Sequence, residues 1–208
     1  DLKDDLPDDI QVQYYYAASY RMLADAANDE MADQYYLEAI DAFEKLVEEN
    51  PGVDDYRRSL AGVHFGFGYL YFESDPEAAL PHFVRTCDLH KRLFEDQATT
   101  IEDGFEWIKA SQAAITIHIN AFDLTNFEVE GLKKIDAVRA MIERFPEETA
   151  FRRELGETEF GYASMLIIHL DRPEDALVRL ANAVDVYQAI FEESEPIAND
   201  GAGWLAAI

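Results

Sequence analysis

The sequence contains an internal duplication, and no other feature restricts the possible folds as much. Residues 40–51 read IDAFEKLVEENP, and residues 135–146, which lie 95 positions later, read IDAVRAMIERFP. After a two-residue insertion, PEAAL at 76–80 becomes PEDAL at 173–177. Repeats of this length are typical of arrays in which neighbouring units stack to bury apolar faces that one unit cannot bury alone. The duplication therefore predicts a repeat array, an architecture that usually presents binding surfaces.

Helical periodicity runs through almost the whole chain, while the alternation typical of strands is scarce. Thr100, with Asp103 three positions later, is typical of a helix start. Asp75 before Pro76 marks another start, and Asp171-Arg172-Pro173 repeats that arrangement. The predicted helices cover residues 9–30, 34–49, 53–73, 76–96, 101–125, 129–145, 147–170 and 173–194.

We therefore predict an all-α fold of about eight helices, arranged as four helical hairpins. An acidic segment, residues 1–8, precedes a single domain over residues 9–194, which has two tandem halves, 9–99 and 100–194. Residues 195–208 form a C-terminal tail with small residues and one tryptophan. This tail is either loose or folded back onto the last helix.

Every second predicted helix carries a small residue four positions before a large apolar one, which lets a neighbouring helix approach closely. The pairs are Ala39 and Phe43, Ala79 and Phe83, and Ala176 and Leu180, while Lys134 and Val138 depart from the pattern. In the second predicted helix the pattern that begins at Ala39 extends to Pro51. This segment resembles the second helix of a tetratricopeptide repeat, and the longer, YRR-containing variety of that repeat is the most similar. The signature positions lie 40, 55 and 42 residues apart instead of the standard 34. The resemblance implies a right-handed α-solenoid in which the first helix of each hairpin lines the concave side.

The strongly acidic composition restricts the classes of partner. Asp and Glu number 43 against 17 Lys and Arg, which gives a formal net charge of −26. Such a field repels phosphate backbones and anionic lipid, so we expect neither direct nucleic-acid binding nor a membrane surface. A basic or apolar protein or peptide is the expected partner. Acidic solvent-facing helix positions explain the charge most simply, and adaptation to salt or mimicry of DNA are alternatives.

The single cysteine and the lack of long apolar runs bear on the compartment. Cys87 alone forms no intramolecular disulfide and no cysteine-based zinc site, and its apolar neighbours predict a buried, inert thiol. No run of 18 apolar residues is present, so no membrane span is expected. We expect a cytoplasmic, bacterial-type soluble protein. The chain begins at Asp1, so removal of a targeting signal is left open.

Catalytic, cofactor and metal motifs are missing from the sequence. There is no GxSxG, P-loop or GxGxxG motif, and the five histidines lack the spacing of shared metal ligation. We therefore expect no catalytic residues, no cofactor and no metal. Gly66 and Gly68 lie inside a predicted helix, where glycine costs about 1 kcal/mol relative to alanine. Close packing of a neighbouring helix explains them, and the same explanation is expected for Gly161.

Aromatic residues on the first helices of the hairpins are the best binding candidates. The third predicted helix carries Phe65, Tyr69 and Phe72, which helical spacing places in one stripe. Consecutive tyrosines on the first helix point about 100° apart, so at least one of them is expected at the surface. The candidates are Tyr14, Tyr16, Tyr20, Phe65, Tyr69, Phe72 and Trp107.

Two arginine pairs belong to the duplication and are the most distinctive polar feature. Arg57-Arg58 recurs 95 positions later as Arg152-Arg153. Both pairs open predicted helices, where a cation opposes the helix dipole. Two interpretations stay open: pairing with acids of the preceding hairpin, which ties one repeat to the next, or a clamp for a carboxylate or phosphate.

Together these features predict a protein-interaction or scaffold module. A concave aromatic groove with acidic rims would bind a peptide or a partner protein. Two alternatives remain: a scaffold that self-associates as a homodimer, and an acidic decoy that resembles DNA and occupies a basic protein.

Overall fold

The computed structural model describes residues 9–27 and 30–194, and all regular secondary structure in this part of the chain is α-helical. The prediction of an all-α fold with about eight helices is confirmed. The helices are α1 (Ile10–Ala26), α2 (Glu30–Glu49), α3 (Asp54–Tyr71), α4 (Pro76–Glu95), α5 (Ile101–Asn120), α6 (Leu124–Arg144), α7 (Thr149–Ile168) and α8 (Pro173–Ser194). The predicted segments 1–8 and 195–208 lie outside the described residues.

Short polar caps fix where several helices begin. The Thr100 hydroxyl accepts from the Asp103 amide while the Asp103 carboxylate accepts from the Thr100 amide, so the predicted cap of α5 is a complete capping box. Asp75 caps α4 by accepting from the Ala78 amide. The second copy differs, because Asp171 adopts a left-handed φ of 49° and Arg172 directly precedes the proline. The two hairpin turns therefore differ in backbone conformation.

The largest departures from the predicted bounds lie at two turns, after the first and fifth helices, where α2 and α6 also begin early, at Glu30 and Leu124 and not at residues 34 and 129. The first helix ends at Ala26 and not at residue 30, and the fifth ends at Asn120 and not at residue 125. After the fifth helix, Phe122 takes a left-handed φ of 54°, and Asp123 then accepts from the Asn126 amide at the start of α6. Neither of these C-terminal helix ends contains glycine or proline, which are the usual sequence signals of a helix end.

Consecutive helices pack against one another in two compact units, which divide within α6 between Ala137 and Val138. In the first unit α1 packs on α2, α2 on α3, α3 on α4 and α4 on α5, and in the second α7 packs on α8. The largest fully buried side chains include Phe43, Phe83 and Phe151. These units do not coincide with the predicted halves 9–99 and 100–194, whose single-domain arrangement stays a prediction.

Two of the three glycines discussed above mark close approaches between helices. A Cβ at Gly66 would lie 2.9 Å from the Tyr36 hydroxyl oxygen, and one at Gly68 would lie 3.1 Å from the Phe83 ring. The prediction for Gly161 is wrong, because a Cβ there would meet no described atom within 4 Å. Helix packing therefore accounts for the glycines of α3 but not for Gly161 in α7.

Over the described ranges, none of the helices has the combination of length and apolar character that crossing a bilayer requires.

Candidate functional site

The predicted aromatic stripe forms on α3, and one of its rings is exposed. Tyr69 is 69% exposed, and its ring lies nearly parallel to that of Phe72, with centroids 6.3 Å apart and an interplanar angle of 2°. The Phe65 ring is also nearly parallel to that of Tyr69, with centroids 6.4 Å apart and an interplanar angle of 20°. Aromatic rings at such separations attract one another beyond their shared burial. The Tyr69 ring is therefore held by two neighbours while it remains accessible.

The two flanking rings are anchored in the core. Phe65 and Phe72 each meet the fully buried Phe83 of α4 edge-on, at 5.7 and 5.8 Å. They pack against a cluster that α4 and α5 build from Ala79, Phe83, Ala110, Ala114 and Ile117. The stripe is thus partly core and partly surface, and only Tyr69 projects from it.

Acidic side chains follow the stripe at the end of α3. Glu73, Asp75 and Glu77 are exposed in and just after the turn to α4. Nearby, Tyr71 donates a hydrogen bond to Asp33 of α2, and this contact raises the pKa of the Tyr71 hydroxyl to about 12. The C-terminal end of the stripe therefore lies in a region of negative charge.

The tyrosines of the first helix divide between packing and exposure. Tyr14 is half-buried, with its ring 5.8 Å from both Phe43 and Tyr56. Tyr16 and Tyr20 are half-buried and meet edge-on at 4.8 Å. Tyr15, which belongs to the same run of tyrosines, is the exposed member at 60%, in agreement with the expectation that at least one of them lies at the surface. The orientation of α1 against α2 and α3 therefore determines which tyrosine side chain is exposed to solvent.

Trp107 lies away from the stripe, in the contact between α4 and α5. Its ring is half-buried and lies 6.2 Å from Phe94 of α4. The Trp107 carbonyl accepts from the Ser111 hydroxyl, whose oxygen is 3.4 Å from the Cys87 sulfur. Burial raises the pKa of the Cys87 thiol to about 12, so the thiol is protonated and unreactive near neutral pH.

The first arginine of each pair makes the same contacts in both copies. Arg57 donates to the Pro51 carbonyl and to Asp96 at the end of α4, and its Nη1 is 2.5 Å from the Asp96 Oδ2. Arg152 donates to the Pro146 carbonyl at 2.8 Å and to Glu193 at the end of α8. The acid thus belongs to the same hairpin, whereas the structural interpretation placed it on the preceding one.

The second arginines differ between the copies. The Arg58 Nε is 2.9 Å from Asp103, and its other nitrogens donate to Asp55 and to the Ala98 carbonyl. Its contact with Asp103 ties α3 to the start of α5. Arg153 is exposed and has no ion-pair or hydrogen-bond partner within residues 9–27 and 30–194.

A histidine pair, in which His64 is buried and His82 half-buried, joins α3 to α4. The Nδ1 atoms of His64 and His82 are 3.0 Å apart. Burial, together with the charges of His82 and Arg85, lowers the pKa of His64 to about 4. The sequence did not reveal this pair, because its members are on different helices. Within the part of the chain that the structure describes, no group of three or more His, Cys, Asp or Glu side chains could hold a metal ion.

The second unit contains a fully buried carboxylate. Glu159 of α7 is 0% exposed and accepts from Arg139 at 2.9 Å, Arg179 at 3.1 Å and Asn182 at 3.2 Å. A buried charge is tolerated when ion pairs and hydrogen bonds satisfy it in this way. This cluster connects α6, α7 and α8 inside one unit.

Comparison with protein-family models and with curated proteins gave no match. A function must therefore be argued from the contacts described above. The tetratricopeptide resemblance stays a prediction.

Proposed function

We propose that this chain is a tetratricopeptide-like protein-interaction module and that the α3 stripe is its recognition surface. The observation that carries the proposal is the exposed Tyr69 ring, held by Phe65 and Phe72. Protein interfaces take much of their binding energy from a few aromatic and arginine side chains that lose little conformational freedom on binding. A ring that is already fixed by its neighbours meets this requirement.

The partner is a peptide or protein segment with an apolar or aromatic side chain beside basic residues. Its apolar group would stack on Tyr69, and its cations would face Glu73, Asp75 and Glu77. The net charge of −26 adds long-range attraction for such a segment. Binding should therefore have an apolar part that resists salt and an electrostatic part that salt weakens.

The proposed role is binding without catalysis and without a cofactor, in the cytoplasm. The fully buried Glu159 carboxylate has protein partners that account for it, because it accepts from two arginines and an asparagine. A free Cys87 thiol agrees with a reducing compartment.

The decisive experiment measures peptide binding with two matched tyrosine variants. Peptides are selected from a displayed random library against the full chain, and their affinities are then measured by fluorescence anisotropy. Tyr69→Ala should weaken binding at least about tenfold, because it removes the exposed centre of the surface. Tyr15→Ala removes a tyrosine of similar exposure from α1 and should leave the affinity unchanged. Circular dichroism checks that both variants fold.

Two results would contradict this proposal and favour the alternatives. Binding of basic peptides that survives Tyr69→Ala but falls steeply with salt would favour the acidic decoy. A failure to select peptides, together with a dimeric mass by light scattering, would favour the self-associating scaffold.

A further inference from the structure

The last hairpin carries an exposed apolar face that matches a covered face in the first unit. The offset of the duplication is 95 positions for α3 and α7 and 97 positions for α4 and α8. Five large apolar side chains of α7 and α8 are exposed at positions where the first copy has half-buried ones. These exposed residues are Phe160, Ile167, Leu177, Val184 and Phe191.

The matching residues of the first copy contact α5 or pack in the cluster that α5 completes. Phe65, Phe72, Leu80 and Cys87 pack against the cluster that contains Ala110, Ala114 and Ile117 of α5. Phe94 lies against the Trp107 ring. The exposed face of the α7–α8 hairpin therefore corresponds to the face of the α3–α4 hairpin on which α5 lies.

The sequence just after α8 matches the beginning of α5. Residues 103–110 read DGFEWIKA, and residues 200–207 read DGAGWLAA, at the same offset of 97. The match retains the aspartate of the capping box, the tryptophan that meets Phe94, and a large apolar residue after it. Residues 195–208 lie outside the described part of the chain.

Arg153 provides an independent indication. Its equivalent Arg58 binds Asp103, the first residue of the matched segment of α5. Asp200 is the residue that corresponds to Asp103. Arg153 lacks an ion-pair partner within residues 9–27 and 30–194 and is exposed. A carboxylate at the position of Asp103 would complete the pair.

We propose that residues 200–208 form the first turns of a helix that docks on the exposed face of α7 and α8, as α5 docks on α3 and α4. Trp204 then covers Phe191, and Asp200 pairs with Arg153. Gly201 and Gly203 weaken the intrinsic helix propensity of this segment, and a helix this short is unstable alone in water. Docking on the apolar face supplies the stabilisation. This inference does not depend on the proposed function.

Tryptophan fluorescence tests the docking directly, because the chain has only two tryptophans. Trp107→Phe leaves Trp204 as the sole reporter, at a concentration where light scattering shows a monomer. Docking predicts acrylamide quenching at least about threefold weaker than in the urea-unfolded chain, since a covered indole is shielded from the quencher. Quenching equal to that of the unfolded chain would overturn the proposal.

Two matched valine substitutions test the surface. Val184→Glu places a charge in the centre of the face, whereas Val178→Glu changes a valine of equal exposure, 61% against 60%, that lies off it. Val178 corresponds to Pro81, which is exposed in the first copy. Val184→Glu should abolish the protection of Trp204, and Val178→Glu should preserve it. An equal effect of the two variants would refute the docking surface.

Hydrogen exchange gives a second measurement that needs no tryptophan substitution. Amides of residues 203–208 in the unmodified chain should exchange at least about tenfold more slowly than in an unstructured peptide. Arg153→Asp should remove this protection, and adding Asp200→Arg should restore it. Random-coil exchange would overturn the proposal, as would protection that appears only at concentrations where a dimer forms, because a second copy would then cover the face.

Discussion

His64 and His82 in the α3–α4 hairpin occupy the same repeat positions as Glu159 and Arg179 in the α7–α8 hairpin. In the first copy two imidazoles meet with their Nδ1 atoms 3.0 Å apart, and in the second a carboxylate accepts from a guanidinium at 3.1 Å. Both pairs join the two helices of their hairpin. The same position thus holds a partly buried polar contact in both copies but uses different chemistry.

The neighbouring position changes together with the pair. Glu44 of α2, which lies 3.7 Å from Arg85, corresponds to Arg139 of α6, which binds Glu159. An acid on the preceding helix in one copy is therefore a base in the other. The two pairs also differ in how fully they are satisfied, because the buried His64 Nε2 has no hydrogen-bond partner in the described residues, whereas the Glu159 carboxylate accepts from three side chains. The hairpin therefore accommodates either pair at this position and does not depend on one particular residue.

The largest expected effect comes from removing the carboxylate of the second copy. Glu159→Ala should lower the free energy of unfolding by about 3 kcal/mol, because it leaves Arg139 and Arg179 without their shared partner. Both arginines are partly exposed, which keeps the loss at the lower end of the range for buried ion pairs. Urea denaturation followed by circular dichroism measures it. Glu157→Ala, at an exposed position of the same helix, is the control and should cost less than about 0.5 kcal/mol.

A second experiment introduces the histidine pair of the first copy at the equivalent positions of the second copy. Glu159→His alone places an imidazole against two arginines, whereas Glu159→His with Arg179→His reproduces the contact of the first copy. The double variant should be more stable than the single one by about 1 kcal/mol, as coupled neighbours require. Arg179→His alone completes the cycle, and additive effects of the two single substitutions would mean that the two positions do not form a unit.

An intermediate effect should follow acidification of the first copy. The pKa of His64 is lowered from 6.5 to about 4 in the fold, so the unfolded chain binds the proton more tightly. The stabilisation is complete above pH 6.5 and is lost as the pH falls towards 4. At pH 5 the expected loss is about 2 kcal/mol relative to pH 7.5. Denaturation at both pH values measures the loss, with His64→Gln as the reference that lacks the titrating imidazole. An identical pH dependence of the two proteins would contradict the prediction.

Replacing two equivalent glycines by alanine should change the free energy of unfolding only slightly and in opposite directions. Gly66→Ala should destabilise by about 1 kcal/mol, because its Cβ would press on the buried Tyr36 hydroxyl that binds Asp25. Gly161→Ala, at the equivalent position, meets no described atom and should stabilise by roughly 0.5–1 kcal/mol through helix propensity. Thermal unfolding of both variants checks the signs. A loss at both positions would show that Gly161 also packs closely.

The helices could be predicted well because apolar spacing and polar caps are local signals. The starts at Pro76, Ile101 and Pro173 follow directly from the residues before them. The ends at Ala26 and Asn120 could not be predicted, since neither a glycine nor a proline marks them. The helices end there through an extended Ala27 and a left-handed Phe122, conformations that these residue types do not predict.

The candidate site was predictable only where it lies along one helix. The spacing of Phe65, Tyr69 and Phe72 within α3 predicts that they form one stripe. It does not predict that Tyr69 is the member exposed to solvent. The outward position of Tyr15 depends on the contact of Tyr14 with Phe43 and Tyr56. The His64–His82 pair required knowledge of helix register.

The arginine contacts at the helix ends have a consequence for how this hairpin tolerates changes in length. Arg57 reaches an acid 39 residues later, and Arg152 reaches one 41 residues later, so the second contact encloses two more residues. Those residues are accommodated near the turn, where α7 is 20 residues long against 18 for α3 and Asp171 adopts its left-handed conformation. Insertions near the turn can therefore accumulate while the two chain ends of the hairpin stay joined in the same way.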